Sequence, residues 1–250
     1  VTIEDEAHNL NPWLVDLGRG LRTRVTSAPV NFAVFSPDGG TVFYASRTPE
    51  RSGIYRTPAN GAGPEELLYE GKGGSAVSVT SISPDGRFLL CGGCSTNGSG
   101  VLPDPLGTPG KSKPYALPQA GSGQFSPDGR WIAFGSRESG RQEVYVSPFP
   151  GTGAKRQIST AGGTHPRWRG DGREIFYVAP DGQIAVAEVT LRNGSLEPGE
   201  ARMLFHPRML MIPPFTYDVA ADGQRILAIV PRNASSGLTI VQNWPALLKK

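Results

Sequence analysis

The sequence predicts an all-β fold built from repeated four-stranded antiparallel units, and three observations lead to this prediction. The chain of 250 residues contains 33 glycines and 23 prolines, too many helix breakers for a helical bundle or a coiled coil. Its hydrophobic fraction of 38% is nevertheless large enough to build a folded core. A short turn motif also recurs along the chain, with strand-like segments on both sides of it.

The recurring motif reads Ser-Pro-Asp-Gly at residues 36–39, 83–86 and 126–129, with weaker copies at 169–172 and 220–223. Proline pre-sets φ at the second turn position, and serine can bond the backbone ahead of it. Glycine supplies the left-handed residue that leads into the next strand, so each copy is expected to close a β-hairpin. The predicted structural turn residues are Asp38, Gly39, Asp85, Gly86, Asp128, Gly129, Asp171, Gly172, Asp222 and Gly223.

The spacing of the turns predicts a β-propeller. Successive copies lie 43 to 51 residues apart, a period that fits four short strands per repeat and therefore one propeller blade. We expect about five to six blades in one domain over residues 1–250, either closed by the N-terminal strands or forming part of a larger propeller. A chain that starts within a blade favours the second alternative. The expected blades span approximately residues 12–26 (partial), 31–70, 76–118, 121–160, 163–206 and 215–243.

Strand-like segments fill these blades in order, with one exception. The exception is the second repeat, where Cys91-Gly92-Gly93-Cys94 is followed by a segment rich in Gly, Pro and Ser over 95–110. We therefore expect the outer half of that blade to be irregular. The clearest predicted strands are 12–17, 21–26, 32–35, 41–45, 131–135, 143–147, 155–159, 174–178, 184–189, 217–219, 225–230 and 238–241.

The cysteines have two functional interpretations, a redox pair or half of a zinc site. A zinc site would need further ligands, but the sequence has no second cysteine pair, and its three histidines are isolated. We expect structural cysteines, and a disulfide under oxidising conditions stays open. No metal or cofactor is expected.

Other motifs exclude several classes of function. Gly110-Lys111-Ser112 lacks the preceding glycine of a phosphate-binding loop, and no Gly-x-Ser-x-Gly elbow or marked pair of carboxylates exists, so this chain is not expected to be an enzyme. The formal net charge of +3 is spread along the chain, which argues against a nucleic-acid partner. No apolar run is long enough for a membrane segment.

Blade topology nominates a partner-binding face. In a four-stranded blade, the loops between strands two and three and between successive blades emerge at one end, opposite the Asp-Gly turns. Loops on a rigid scaffold commonly carry binding, although an ordinary charged rim is the alternative. The candidate residues on this loop face are Arg47, Arg51, Arg137, Glu138, Arg141, His165 and Arg167.

The repeat of Ser-Pro-Asp-Gly-Arg, an apolar strand, Ser-Arg and an Ile/Val-Tyr strand resembles the TolB-type, WD-repeat-like β-propeller family over residues 12–243. The block 121–189, together with the ending 239–244, is most similar to the C-terminal propellers of bacterial serine/threonine protein kinases. The chain itself contains no kinase motif. The resemblance implies a non-catalytic sensing or scaffolding module in the periplasm, binding a protein or small ligand, in a parent that can be membrane-anchored. Two alternatives are a gating propeller of a prolyl-oligopeptidase-type peptidase and a propeller enzyme with an axial active site.

Overall fold

The part of the chain that the structure describes consists of strands and turns. A computed structural model describes residues 2–4, 10–15, 19, 21–26, 30, 32–48, 51–71, 76–95, 98–110, 113–117, 123–151, 153–192, 194–207, 217–228 and 239–242. Within these ranges, the strands pair antiparallel with their neighbours in sequence and form four four-stranded and two three-stranded sheets. This confirms the all-β prediction and the four-stranded unit. No helix in the described ranges is long and apolar enough to cross a membrane.

The chain divides into two compact units, of which the first covers Val1–Gln119. Its first sheet has an extra strand that the sequence did not predict, because β1 pairs with β2 ahead of the predicted pair. The strands of the three sheets in this unit are β1 (Thr2–Glu4), β2 (Leu10–Val15) and β3 (Arg22–Arg24); β4 (Phe32–Phe35), β5 (Thr41–Thr48), β6 (Arg51–Pro58) and β7 (Glu66–Glu70); β8 (Ser78–Ile82), β9 (Phe88–Ser95), β10 (Gly98–Pro103) and β11 (Tyr115–Ala116).

The second unit covers Ala120–Lys250 and also contains three sheets. The third sheet has three strands in the described residues. The strands are β12 (Gln124–Phe125), β13 (Trp131–Ser136), β14 (Glu143–Pro148) and β15 (Arg156–Gln157); β16 (Thr164–Trp168), β17 (Glu174–Val178), β18 (Ile184–Arg192) and β19 (Ser195–Phe205); β20 (Tyr217–Val219), β21 (Arg225–Ala228) and β22 (Thr239–Gln242).

The Ser-Pro-Asp-Gly motif closes the hairpin between the first two strands of each repeat. In the first copy, the Gly39 amide donates to the Ser36 carbonyl (2.9 Å), and the Thr41 amide donates to Ser36 Oγ (2.9 Å). The hydrogen bond from Ser36 Oγ to Asp38 lowers the pKa of that carboxyl group. The glycines of all five copies have φ between +70° and +73°, a region that side chains disfavour.

Adjacent sheets bury their apolar faces against each other within each unit. One core cluster joins the β12–β15 sheet to the β16–β19 sheet and includes Trp131 and Trp168. A second joins the β4–β7 sheet to the β8–β11 sheet and includes Phe43, Leu89 and Leu102. Both tryptophans therefore pack between adjacent sheets.

The expectation for the second repeat was wrong, because its third strand is present. The strand β10 (Gly98–Pro103) pairs with β9 along its whole length, and β11 completes the sheet. Glycine and serine weaken the strand signal in the sequence, but Val101 and Leu102 are fully buried in the finished structure. Burial of these two side chains outweighs the low strand propensity of their neighbours.

Candidate functional site

The hairpin between β13 and β14 carries three of the predicted loop-face residues. Arg137, Glu138 and Arg141 are all exposed there. The turn is closed by a hydrogen bond from the Gly140 amide to the Arg137 carbonyl (3.0 Å), and Arg137 Nε donates to Gln142 Oε1 (3.3 Å). The structure thus presents these side chains at the tip of a hydrogen-bonded hairpin.

A buried carboxylate fixes this hairpin to the segment that leads into the next sheet. Glu143, the first residue of β14, is fully buried. It accepts hydrogen bonds from Arg141 Nε (2.5 Å), from the Gly162 amide (3.0 Å) and from Ser159 Oγ. Because these donors come from the hairpin and from the segment before β16, Glu143 clamps the two together.

This clamp was not predicted from the sequence. The available signal was a glutamate directly before the apolar strand residues Val144, Tyr145 and Val146, where a charge at a buried strand start needs partners. Its partners come from Ser159 and Gly162, which are distant in sequence. The pattern along one strand could not identify them.

His165 and Arg167, which were predicted for the loop face, do not lie on it. Both are buried in β16, the first strand of its sheet, instead of being exposed on a loop. The register of β16 against β17 shifts between Thr164 and Arg167, and His165 adopts a φ of +52°. Pro166 has no amide hydrogen to offer the sheet, which accounts for an irregularity at this position.

Side chains from the neighbouring sheet hold this irregular segment. Tyr217 Oη, on β20, donates a hydrogen bond to the His165 carbonyl (3.0 Å), and the His165 ring lies 2.9 Å from Thr164 Oγ1 through Nδ1. Arg167 Nη1 donates to the Pro166 carbonyl (2.8 Å), and its Nε lies 3.8 Å from Asp218 Oδ1. The Asp218 side chain is exposed, so this cluster has one solvent-facing charge beside a buried one.

Burial controls the protonation of this cluster. Burial, together with the positive charge of Arg167, lowers the pKa of His165 from 6.5 to about 4. Burial also raises the pKa of Tyr217. At neutral pH the histidine is therefore uncharged and the tyrosine keeps its proton, so the phenol can donate to the His165 carbonyl.

The first strands of adjacent sheets in the second unit are connected by side chains. Gln124 on β12 accepts the Trp168 amide at Oε1 (2.7 Å), and its carbonyl accepts Trp168 Nε1 (3.3 Å). Gln124 thus reaches β16 from one side, and Tyr217 reaches it from the other. These contacts satisfy polar groups of β16, whose other edge pairs with β17.

The two loop-face residues predicted in the first unit are Arg47 and Arg51. Arg51, at the start of β6, is half-buried, pairs with Glu65 Oε2 (2.7 Å) and lies over the Tyr55 ring (4.5 Å). It therefore contributes to contacts within its own sheet. Arg47 lies near the end of β5, and its side chain is outside the described part of the structure.

The cysteines form a disulfide. Cys91 and Cys94 are bonded to each other and buried in the core between the β4–β7 and β8–β11 sheets. A bonded pair is not available as a zinc ligand in this state. No cluster of three or more potential ligand side chains that could hold a metal occurs among the described residues.

No protein-family model matches the sequence, and no curated protein matches it either. Among solved structures, TolB from Acinetobacter baumannii is similar over 97% of this chain, with 20% sequence identity and a TM-score of 0.72. The fold is that of a β-propeller. The tricorn protease covers 88% of the chain (19% identity, TM-score 0.59), and a putative 6-phosphogluconolactonase from Bacteroides uniformis covers 96% (16% identity, TM-score 0.55).

These similarities concern the fold alone, because the sequence identities are low. The propeller chain spans 60% of the length of the A. baumannii TolB chain and 22% of the tricorn protease chain. TolB, the tricorn protease and a putative 6-phosphogluconolactonase share this architecture, so the fold alone does not identify an activity.

Proposed function

We propose that this propeller is a non-catalytic module that binds a protein or a small ligand. Binding would use either the loop face or the central channel, which the first strands of propeller blades border. The observation that carries the proposal is the Glu143 clamp. It holds the exposed Arg137, Glu138 and Arg141 on a hairpin whose base is buried and hydrogen-bonded. A surface ordered before binding loses less conformational entropy when a partner arrives.

The cluster of His165, Arg167 and Asp218 around β16 supports binding along the central channel. Blade strands that come first in sequence border the propeller axis. In this chain, the strand β16 carries a non-glycine residue with positive φ and the buried Arg167, next to the exposed Asp218. Residues in such sparsely populated conformations cluster at functional sites, although the energetic cost must be offset by the surroundings.

The charges of the loop face indicate the chemistry of the partner. Arg137 and Arg141 are exposed on the hairpin; Arg141 pairs with the buried Glu143, and Glu138 pairs with Lys155. This group therefore holds three cations, Arg137, Arg141 and Lys155, against two carboxylates. An exposed excess of arginine favours an acidic segment of a partner, since complementary charges steer association.

A role as an accessory or catalytic propeller is the second candidate. It is favoured by the similarity in fold to the tricorn protease and to a putative 6-phosphogluconolactonase. Against it, the buried carboxylate of the loop face is occupied by structural hydrogen bonds, and burial keeps His165 away from solvent. The non-catalytic assignment is therefore preferred.

The disulfide supports the extracytoplasmic location that the family resemblance implies. Disulfides persist in oxidising compartments and are rare where thiols are kept reduced. The bond between Cys91 and Cys94 fits the first environment. A connection to a kinase remains an expectation from the sequence.

Site-specific photo-crosslinking tests the proposal. A photoreactive residue at position 137 should give a discrete adduct in the source cells, and the same residue at the exposed position 192 should not. For the partner identified in this way, Arg137→Glu should weaken binding about fivefold or more, while Arg192→Glu should leave it unchanged. Identical adducts from both positions, or hydrolysis of esters, glycosides or peptides by the purified chain, would contradict the proposal.

A further inference from the structure

The disulfide-bonded segment departs from regular strand geometry near the end of β9. In a regular strand, residues three positions apart point to opposite faces and lie about 10 Å apart, beyond the roughly 7 Å that a disulfide can span. The Cα atoms of Cys91 and Cys94 are nevertheless 5.9 Å apart. Gly93, with a φ of +66°, folds the strand back between them. The bond therefore depends on a local irregularity of β9.

This irregularity is a bulge. On one side of β9, the pairing with β8 ends at Gly92. On the other side, the pairing with β10 is continuous up to Gly92 and resumes only at Ser95, which lies opposite Gly98. Gly93 and Cys94 therefore have no partner in either ladder, and the disulfide is the covalent link that closes the bulge.

The bulge directs the sulfur of Cys94 into the core. Both cysteines are at most 2% exposed and belong to the cluster that contains Phe43, Leu89 and Leu102. Cys94 Sγ lies 3.1 Å from the position that a Cβ on Gly100 would take, so β10 passes closely over the sulfur. The disulfide thus fixes the end of β9 beneath β10.

Beyond the bulge, few contacts hold β9 and β10 together. The described residues there form one ladder pair, Ser95 with Gly98, and a hydrogen bond from Ser95 Oγ to the Ser99 carbonyl (2.5 Å). Before the bulge, Leu90 and Val101 pair with each other and are fully buried. A segment with few buried apolar contacts opens before the rest of its sheet does. Residues 93–95 and 98, here called the hairpin tip, are therefore the part of this sheet that depends most on the disulfide.

We propose that the Cys91–Cys94 bond is a redox-controlled latch on the hairpin tip. When the bond is formed, the bulge is held and the tip is ordered. When the bond is reduced, the tip opens while the other pairs of the sheet stay formed. The latch is closed in an oxidising compartment and open where dithiols keep cysteines reduced. It lies in the first unit and does not depend on the proposed binding by the loop face of the second unit.

Reduction requires a dithiol that reaches the sulfur atoms through local opening of the hairpin tip. A thiolate of the dithiol attacks Cys94 Sγ, the S–S bond breaks, and Cys91 leaves as a thiolate that takes up a proton. The other thiol of the reductant then displaces Cys94 from the mixed disulfide, and Cys94 takes up the second proton. The protein gains two electrons and two protons, and the dithiol is oxidised to its own disulfide.

Residue-resolved hydrogen exchange of the whole chain, with and without dithiothreitol, tests the latch. Reduction should speed exchange of the Cys94, Ser95 and Gly98 amides about tenfold or more, because cross-linking a short loop removes about this much freedom from the open state. Exchange of the Leu90 and Val101 amides should be unchanged. Alkylation of both cysteines in the folded chain, followed by mass spectrometry, shows that the bond has been reduced.

The double variant Cys91→Ala with Cys94→Ala is the matched control. Without reductant, its hairpin tip should exchange as fast as that of the reduced chain, and dithiothreitol should have no further effect. If this variant fails to fold, the two redox states of the original chain still decide the question. The proposal is overturned by equal exchange of the tip in the oxidised and reduced chains, by unfolding of the whole sheet on reduction, or by a bond that dithiothreitol reduces only after the chain is unfolded.

Discussion

Gly93 is required by its own conformation and by the space around it. It lies within the strand β9, between the two disulfide-bonded cysteines, with a φ of +66°. A Cβ atom added there would lie 2.2 Å from the Ala76 carbonyl oxygen, a backbone atom that cannot move away alone. Gly98, at the start of β10, also has positive φ (+91°) but has nothing within 4 Å of an added Cβ.

This difference gives a matched pair of substitutions. Gly93→Ala should lower the free energy of unfolding by about 2–4 kcal/mol, since strain and a backbone clash add together. Gly98→Ala should cost only about 1 kcal/mol, because only the conformational strain remains. Urea unfolding measures both values, and equal values for the two variants would refute the described backbone around Ala76.

His165 makes stability depend on pH. Its pKa is about 4 in the folded chain and about 6.5 when exposed, so the unfolded chain binds a proton before the folded chain does. Stability should therefore fall as the pH decreases from about 6.5 towards 4, by about 2 kcal/mol between about pH 7.5 and about pH 5.

The control for this prediction is His165→Asn, because asparagine tolerates positive φ and does not titrate. Urea unfolding at the two pH values should show that the variant lacks the part of the pH dependence due to His165. If the variant and the original chain lose equal stability on acidification, the histidine is not buried as described.

At the scale of elements, the turns and most of the strands follow from the sequence, whereas the strand β10 and the long-range contacts do not. The hairpins around Gly39 and Gly129 were predictable because proline, aspartate and glycine specify a turn locally. The strand β10 was not, because its burial depends on the adjacent sheet. The buried position of Arg167 depends in the same way on β20, which lies about fifty residues away.

The loop face depends on local sequence, whereas the Glu143 clamp beneath it depends on contacts between residues distant in sequence. Arg137 and Arg141 could be placed on the exposed hairpin from the repeat alone. Glu143 could not be identified, because its partners Ser159 and Gly162 become visible only when the strands are assembled. Periodicity shows where a side chain lies along a strand but not which distant groups approach it.

The clamp can be tested as an element of the fold. Glu143→Gln should destabilise the chain by about 2–4 kcal/mol, because the amide group places a donor where Ser159, Gly162 and Arg141 already donate. Glu138→Gln, which affects only a solvent-accessible pair with Lys155, should cost less than about 1 kcal/mol. Chemical denaturation measures both, and a difference of less than 1 kcal/mol between them would show that Glu143 carries little of the hairpin's rigidity.

At the scale of the whole molecule, the repeat gives each blade two ends with different chemistry. The loop end of the second unit presents arginines on a clamped hairpin, and the turn end holds a small cleft whose lining includes Trp131, Trp168 and two turn aspartates. A rigid β-scaffold allows both ends to diverge while the strands between them stay the same. The repeated turn uses five of the 33 glycines as its closing residue and three of the 23 prolines.

The central claim is that the repeats fold as four-stranded propeller blades in the stated register, and an experimental structure of the chain tests it most directly. The account predicts that Ala133 pairs with Gln124 on one side and with Val146 on the other, and that Gly129 has a φ near +71°. A helix anywhere within 124–157, or strands in that segment paired in another order or register, would contradict it.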